Sequence, residues 1–566
     1  MESEKKICQN CKNDFTIEPE DFKFYEKIKV PPPTFCPECR LIRRLCWRNE
    51  RSLYKRTCDL CHKKIISMYD EDVIFPVYCP DCWKSDNWNP VEYAQDYNFN
   101  KPFFTQWKEL FLRIPHQSVW QSGECINTEY TNFVQDVKNV YLAYSTLWKS
   151  EDVFYSSNID NSKNVIDSYN VVNSELIYEN IGSVKNYNSQ YSYWSTNCID
   201  CNFILDCINC QNCFGCVNLR NKKYCIWNKQ YEKEEYFEKI KNFNMGSFDS
   251  VQRSFQEFWS FTLKFPRKYD RIINCINVNG DELRNCKNSL FTFNAYDMEN
   301  VKFAYRCVSS KDSMDICYNT FSELIYEHAF GGSDNSFNAK FIARGFKTTN
   351  EVHYIDSCRS SNNLFGCIGL ESKQYCILNK QYTKEQYENL IPKIIQHMND
   401  MPYVNEKGKV YKYGEFFPFE FSPFGYNETV IHELYPMTKE KALERGYNWK
   451  DKIENKYIIT KKGEDLLDDI RDVDDSILNE VIECAITKKA FKITPFELQF
   501  YRQMNIPIPR VHYDERYKKR IALRNPIKLW HRKCMKEGCK NEFETSYAPD
   551  RPEIIYCERC YQQEVY

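Results

Sequence analysis

Glycine is scarce in this chain, 16 in 566 residues, and histidine scarcer still, with eight. So few glycines argue against a low-complexity or disordered polypeptide. None of the histidines stands in an HExxH or HNH-like setting, and there is no Walker A loop, no GxGxxG after a strand and no GxSxG elbow, which removes the usual hydrolytic and nucleotide-binding motifs. No stretch nears the roughly 18 apolar residues of a membrane span, and no apolar leader follows Met1-Glu2-Ser3-Glu4-Lys5. A cytoplasmic location without a membrane partner is the expectation. Excess charge is missing as well: 77 Lys and Arg against 79 Asp and Glu leave a net charge of −2, so any hold on nucleic acid must come from a local patch. Carboxylates are plentiful, but no spacing marks an acid/base pair.

What the chain does have is cysteine, 29 residues of it, in a compartment that favours metal and buried thiols over disulfides. Three pairs of close-set knuckles stand out: Cys8/Cys11 with Cys36/Cys39, Cys58/Cys61 with Cys79/Cys82, and Cys534/Cys539 with Cys557/Cys560. Two thiolates from each tight turn, joined across a loop of roughly 15–25 residues, are what tetrahedral zinc requires. The expected cofactor is about three structural zinc ions.

The two ends are copies of one module. Laying Cys8 on Cys484 brings Phe15 onto Phe491, Phe24-Tyr25 onto Phe500-Tyr501, Arg48-Asn49 onto Arg524-Asn525 and Cys58 onto Cys534. In the rear copy Cys11, Cys36 and Cys39 have become Thr487, His512 and Glu515, while the second set of four cysteines survives. Crosswise sharing of ligands would have crippled both rear sites, so each ion is assigned to one sequential quartet. Cys484 and His512 are read as vestigial, since two ligands do not close a structural site.

Between the modules, short units such as KNVYLAYS at Lys138, EDVFYSSN at Glu151, KNVIDSYN at Lys163 and SELIYENI at Ser174 recur every 11–13 residues or so. That spacing is too short for a βαβ unit and suits a solenoid in which each strand pairs with its successor one coil on. Alternation in Val140/Leu142/Tyr144 and Val301/Phe303/Tyr305 would turn one row inward, with Asn and Ser in the turns. The fold expected is multidomain and mainly β: a parallel β-helix-like solenoid flanked at both ends by treble-clef or zinc-ribbon modules, with an antiparallel sandwich as competitor. The solenoid is duplicated, since NCFGCVNLRNKKYCIWNKQY from Asn212 recurs as NLFGCIGLESKQYCILNKQY from Asn363, and SELIYEN at Ser174 as SELIYEH at Ser322.

The domains expected are a double zinc module at 1–100, a helical connector at 101–135, a first solenoid with capping helix at 136–245 and a second connector at 246–270. A second solenoid with its cap at 271–400, an aromatic and Pro-rich docking linker at 401–478 and the degenerate module at 479–566 complete the series. Thr460 to Asp475, dense in charge, is the expected flexible joint. The central cysteines Cys198, Cys201, Cys207, Cys210, Cys213, Cys216 and Cys225 could hold a fourth metal or iron–sulfur site, or simply stack as small buried thiols.

A basic stripe follows the first knuckle pair. Arg40, Arg43, Arg44, Arg48, Arg51 and Lys55 fall at helical steps, and the rear copy keeps Arg516, Lys519, Arg520 and Arg524 although its first zinc site is gone. These ten residues are the candidate contacts to RNA or DNA phosphates; the alternative is that they pair with acids of the solenoid. Trp47, Tyr54, Tyr517 and Trp530, interleaved with them, could stack on bases or belong to the core.

The pieces Cys36-Pro-Glu-Cys-Arg, Arg48-Asn-Glu-Arg-Ser-Leu-Tyr-Lys-Arg, the NKQY strand ends, Ser422-Pro-Phe-Gly-Tyr-Asn-Glu-Thr and Asn541-Glu-Phe-Glu-Thr-Ser-Tyr-Ala-Pro-Asp-Arg-Pro-Glu resemble one family. The chain is similar over nearly its whole length to the uncharacterised large zinc-ribbon proteins of ultra-small, candidate-phyla bacteria. Such proteins sometimes carry the automatic label CaiB/BaiF, a coenzyme A transferase name that no residue here supports. The resemblance implies intact rear knuckles, which Thr487, His512 and Glu515 withhold, and it implies an architecture without an activity. The leading expectation is a non-enzymatic, zinc-stapled scaffold whose basic modules contact nucleic acid, RNA before DNA, or a ribonucleoprotein. Its competitors are a protein–protein adaptor working through the solenoid face, and an enzyme, either a carbohydrate-active β-helix or an acyl-CoA transferase.

Overall fold

A computed structural model describes every residue except Met1, Ser333, Phe346 and residues 452–456; the last five belong to the expected docking linker and lie outside the described residues. Each end of the chain repeats one local plan. A hairpin, Glu4–Ile7 with Asp14–Ile17, leads into helices Pro19–Ile28 and Pro37–Leu45, and a second hairpin, Tyr54–Thr57 with Lys64–Ser67, precedes the helix Pro80–Lys84. At the rear, Pro495–Gln503, Tyr513–Ala522 and Glu558–Val565 stand in the matching places. Both front knuckle helices begin the same way: an extended cysteine, Cys36 or Cys79, caps the helix and proline takes its first position, where the missing N–H costs nothing.

The middle of the chain is a solenoid in two copies, a fourteen-strand sheet over 121–230 and an eleven-strand sheet over 272–381. Nearly all pairing is parallel, and partners stand one coil apart: Ser157 with Tyr169, Tyr169 with Ile181, Ile199 with Gln211, Gln211 with Lys223. The antiparallel sandwich is thereby excluded.

The inward periodicity is three, not the two expected from alternation. From Asn158 to Trp227 every third residue has a left-handed backbone, among them Asn158, Asn161, Asn164, Asp167, Asn170 and Asn173. A twelve-residue coil therefore turns four corners, each made by one left-handed residue, and the residue after each corner points inward. Asn and Asp reach that conformation at least strain, which is why they crowd the repeat. Their side chains also ladder from coil to coil, Asn158 to Asn170 at 2.7 Å and Asn197 to Asn209 at 2.8 Å.

Such a tight coil favours small or β-branched side chains inside, with a few larger ones such as Met298, Leu364 and Leu370 in the second copy. Val165, Ser168, Val171, Ser174 and Ile177 follow one another there, all buried. Inward serine hydroxyls of this stretch are satisfied by the coil itself: Ser168 Oγ donates to Ile166 O at 2.9 Å and accepts from Asn180 N at 3.1 Å. Val140 keeps its expected inward place, but Leu142 makes a corner and Tyr144 packs outside the coil.

A helix follows each copy, Lys233–Ile240 and Lys384–Asp400. The segment Thr460 to Asp475, expected to be a flexible joint, is tied down instead. Lys461–Lys462 pairs with Ile482–Glu483, Leu466 and Ile470 are buried, and Asp469 accepts from Asn244 Nδ2 at 2.7 Å. Its charges alternate with core residues, and composition alone hid the latter.

Candidate metal centres and the arginine clamps

Among the described residues three groups could hold a metal ion, and they are the three sequential quartets: Cys8, Cys11, Cys36, Cys39; Cys58, Cys61, Cys79, Cys82; and Cys534, Cys539, Cys557, Cys560. Within each, all four sulfurs lie within 4.8 Å of one another. A tetrahedron with Zn–S of about 2.3 Å sets sulfurs about 3.8 Å apart. Cys11 and Cys36 stand at 3.7 Å, Cys61 and Cys79 at 3.9 Å, and Cys539 and Cys557 at 3.9 Å, so the donor sets fit zinc.

Backbone amides point at the sulfurs in the same way in all three. Cys36 N donates to Cys8 Sγ, Cys79 N to Cys58 Sγ and Cys557 N to Cys534 Sγ, each at 3.3 Å. Burial raises the Cys58 thiol, but N–H groups of Cys61 and Cys79 outweigh it and bring the group down to about 7; Cys557 falls to about 6 by the same balance. Amides that favour thiolate favour a bound dication.

The degenerate rear knuckle keeps its shape without its ligands. Cys484 N donates to Lys489 O and Lys488 N to Cys484 O, as Cys8 N does to Asn13 O and Lys12 N to Cys8 O. Cys484 Sγ accepts from His512 N at 3.2 Å, and His512 Nδ1 accepts from Asp514 N at 3.2 Å, capping the next helix. Hydrogen bonds, not a quartet of ligands, join this knuckle to the start of the next helix.

The central cysteines belong to the inward row. Cys207 Sγ donates to Leu205 O and faces Cys216 O, at 3.5 and 3.6 Å, and Cys216 repeats the pattern with Phe214 O and Cys225 O at 3.3 and 3.6 Å. Cys367 in the second copy does likewise. They are stacked core thiols, the serine row with sulfur in place of oxygen.

The basic stripe is placed otherwise than a phosphate-binding surface requires. Arg40, Arg43, Arg44 and Arg48 are buried, as are Arg516 and Arg520, while Arg51 and Arg524 are half-buried. Of the ten expected nucleic-acid contacts only Lys55 and Lys519 are exposed. The arginines meet solenoid carboxylates. Arg40 and Arg44 hold Asp315 at 2.8 and 2.9 Å, Arg44 and Arg43 hold Glu327 at 3.0 and 2.9 Å, and Arg43 reaches Glu415 at 2.9 Å. Arg48 pairs with Glu50 at 2.6 Å, and Arg51 reaches Asp514 at 3.2 Å and lies 3.6 Å over the Tyr517 ring. Arg524 sits 4.3 Å over the Tyr169 ring. Trp47 is wholly buried among Trp107, Phe111 and Phe417, and Tyr517 is buried too.

The rear module repeats the clamp. Arg516 and Arg520 hold Asp167 at 2.9 and 3.0 Å, and Arg520 holds Glu179 at 2.9 Å. Tyr25 packs on Tyr326 at 5.7 Å in front and Tyr501 on Tyr178 at 6.1 Å behind. Glu179 and Glu327 are the same residue of the repeated SELIYE, and all four acids sit at left-handed corners, where the side chain faces outward. The front module thus grips the second solenoid and the rear module the first, so the two copies are crossed. These acids were missed in the sequence; the repeat of SELIYE beside the repeat of the arginine stripe was the signal that joined them.

No family model matches the chain, and no curated protein matches it. A solved structure from Desulfovibrio desulfuricans, assigned as an acetyltransferase, is 12% identical over 50% of this chain and 72% of its own, with a TM-score of 0.10. A likeness that low carries no argument. No helix among the described residues is long and apolar enough to cross a membrane.

Proposed function

We propose that the protein is a non-enzymatic scaffold, a crossed double solenoid stapled by zinc modules, that works as a protein–protein adaptor. The observation that carries this reading is the burial of the arginine stripe. Six of its guanidiniums lie against carboxylates or core rings of the same chain, which takes the stripe itself away from phosphates. The surface left for a partner is the outside of the coils, where Phe291, Phe321 and Phe337 are exposed. The motifs shared with large zinc-ribbon proteins of ultra-small bacteria support the architecture and name no reaction.

Zinc-loaded protein is titrated with single-stranded RNA and DNA at several salt concentrations, beside Lys55→Glu/Lys519→Glu. The expected result is weak binding that the charge reversal barely changes. Tight binding with a steep salt slope, lost in the double variant, would restore the nucleic-acid reading. Metal analysis is expected to give about three zinc ions per chain.

A further inference from the structure

A cavity of about 240 Å³ opens where three parts of the chain meet: the outer face of the first solenoid at Trp194 and Arg220, the strand Arg267–Lys268, and the C-terminal helix at Tyr561. Arg267 lines it and is only 8% exposed. Every other buried arginine among the described residues has a carboxylate within 4 Å; the Arg267 side chain has neither an ion pair nor a hydrogen bond, and its Nη1 is sealed from solvent. Burial accordingly depresses this guanidinium. Trp259 lines the same cavity with an indole N–H that also lacks a partner.

None of the five acids in the wall stands within ion-pair distance of Arg267, though Glu553 and Asp206 act on it from further off. Asp206 is held by Arg220 at 3.1 Å, Glu282 accepts from Trp194 Nε1 at 2.8 Å, Glu553 is taken by Arg551, and Lys268 holds Asp270 at 3.4 Å and Glu558 at 2.5 Å. An unpaired buried cation is among the costliest arrangements a fold can keep.

The duplication supplies an internal comparison. Arg267 pairs with Ile555, two residues before Cys557, and His116 pairs with Val77, two residues before Cys79. The two positions are equivalent. In front the network is closed: His116 bonds Phe111 O at 2.8 Å and Arg344 at 2.9 Å, and Arg344 is paired with Asp356. In the rear copy the cation stands open toward a cavity.

We propose that this cavity binds a small organic anion, a carboxylate or phosphate borne on a flat ring, with Arg267 donating to the anion through the guanidinium nitrogens that are not sealed. Trp194, backed by Arg271 at 3.8 Å from its ring, and Tyr561 supply aromatic wall for the ring. Preference for ring-bearing anions over bare phosphate follows from that wall, and the site goes beyond the scaffold reading above.

The test uses the full zinc-loaded chain, with benzoate, phenyl phosphate and inorganic phosphate as probes, followed by calorimetry and tryptophan fluorescence. At least one ring-bearing probe is expected to bind saturably, more tightly than inorganic phosphate, and the comparison of benzoate with phenyl phosphate separates carboxylate from phosphate. Arg267→Gln should weaken that binding ten-fold or more while raising the melting temperature of the ligand-free protein, because it removes an uncompensated charge. Arg267→His, which installs the front copy's residue, serves as a second folded variant and should also lose binding. Absence of saturable binding by all three probes, or binding unchanged in both variants, would overturn the proposal.

Discussion

Asp315 accepts from two guanidiniums that have no exposed surface to fall back on, Arg40 and Arg44. Burial lowers both groups, yet the carboxylates beside them outweigh it and hold both above the ordinary arginine range, so both are charged in the native fold. Asp315→Asn should therefore cost about 3–5 kcal/mol, the usual penalty for leaving buried charge unpaired. Asp167→Asn should do the same to Arg516 and Arg520, with urea unfolding as the measurement for both. Asp160 offers the opposite sign. Its Oδ1 is sealed without a partner, and burial, only partly offset by Arg306, pushes the carboxyl up to about 7. A carboxyl whose folded pKa lies above its unfolded value near 3.9 binds more protons folded than unfolded. Stability is then full below about pH 4 and falls as pH rises to about 7. Asp160→Asn should raise stability by about 1–3 kcal/mol at pH 8 and by almost nothing at pH 4, read from unfolding curves at the two pH values.

At the scale of the element, the inward row decides what the solenoid tolerates. Cys207, Cys210 and Cys213 fill a coil whose every corner is fixed by a left-handed residue, and neighbouring thiols already occupy the space around each of them. Cys207→Ser should fold, since Ser195 and Ser168 already use the same bonds to carbonyls. Cys207→Leu should cost about 1–3 kcal/mol by overpacking, read from thermal melts of the pair. The thiols from Cys198 to Cys225 should resist a disulfide reagent until the chain unfolds. Coil length and duplication were legible in the recurring KNV and SELIYE units. The period of three was not, because the outer side of the coil is as apolar as the inner one wherever a module or helix covers it: Tyr144, Tyr169 and Tyr193 face outward and are as buried as Val165. Burial on both sides erases the contrast on which a periodicity argument depends. The cysteine quartets were legible because their chemistry is local, two ligands per turn. The destination of the arginines was not, because Asp315 and Glu327 stand more than 270 residues from Arg40 and Arg44 and helical spacing says only that a stripe exists.

At the scale of the molecule, the crossing of modules and solenoids makes each half of the chain depend on the other. The two clamps are built from the same residues but anchored differently. In front, the arginine helix Pro37–Leu45 begins at Cys36 and carries Cys39, two ligands of the first quartet. Behind, the helix Tyr513–Ala522 begins at His512, whose N–H donates to Cys484 Sγ, and no quartet holds its start. Metal loss should therefore act on one clamp more than on its twin. Cys36→Ser/Cys39→Ser frees the start of the front helix, and with it Arg40, Arg43 and Arg44, from Asp315 and Glu327. Amide exchange should then quicken in the strands Val308–Cys317 and Thr320–His328, which lie in the second solenoid, far along the chain from the altered residues. The strands Tyr169–Val172 and Glu175–Tyr178, gripped by the metal-free rear clamp, should exchange as before. Equal quickening in both pairs of strands would mean that the front quartet supports the whole body rather than its own clamp. No change in either pair would mean that the ion pairs hold the front helix unaided, as their counterparts do behind.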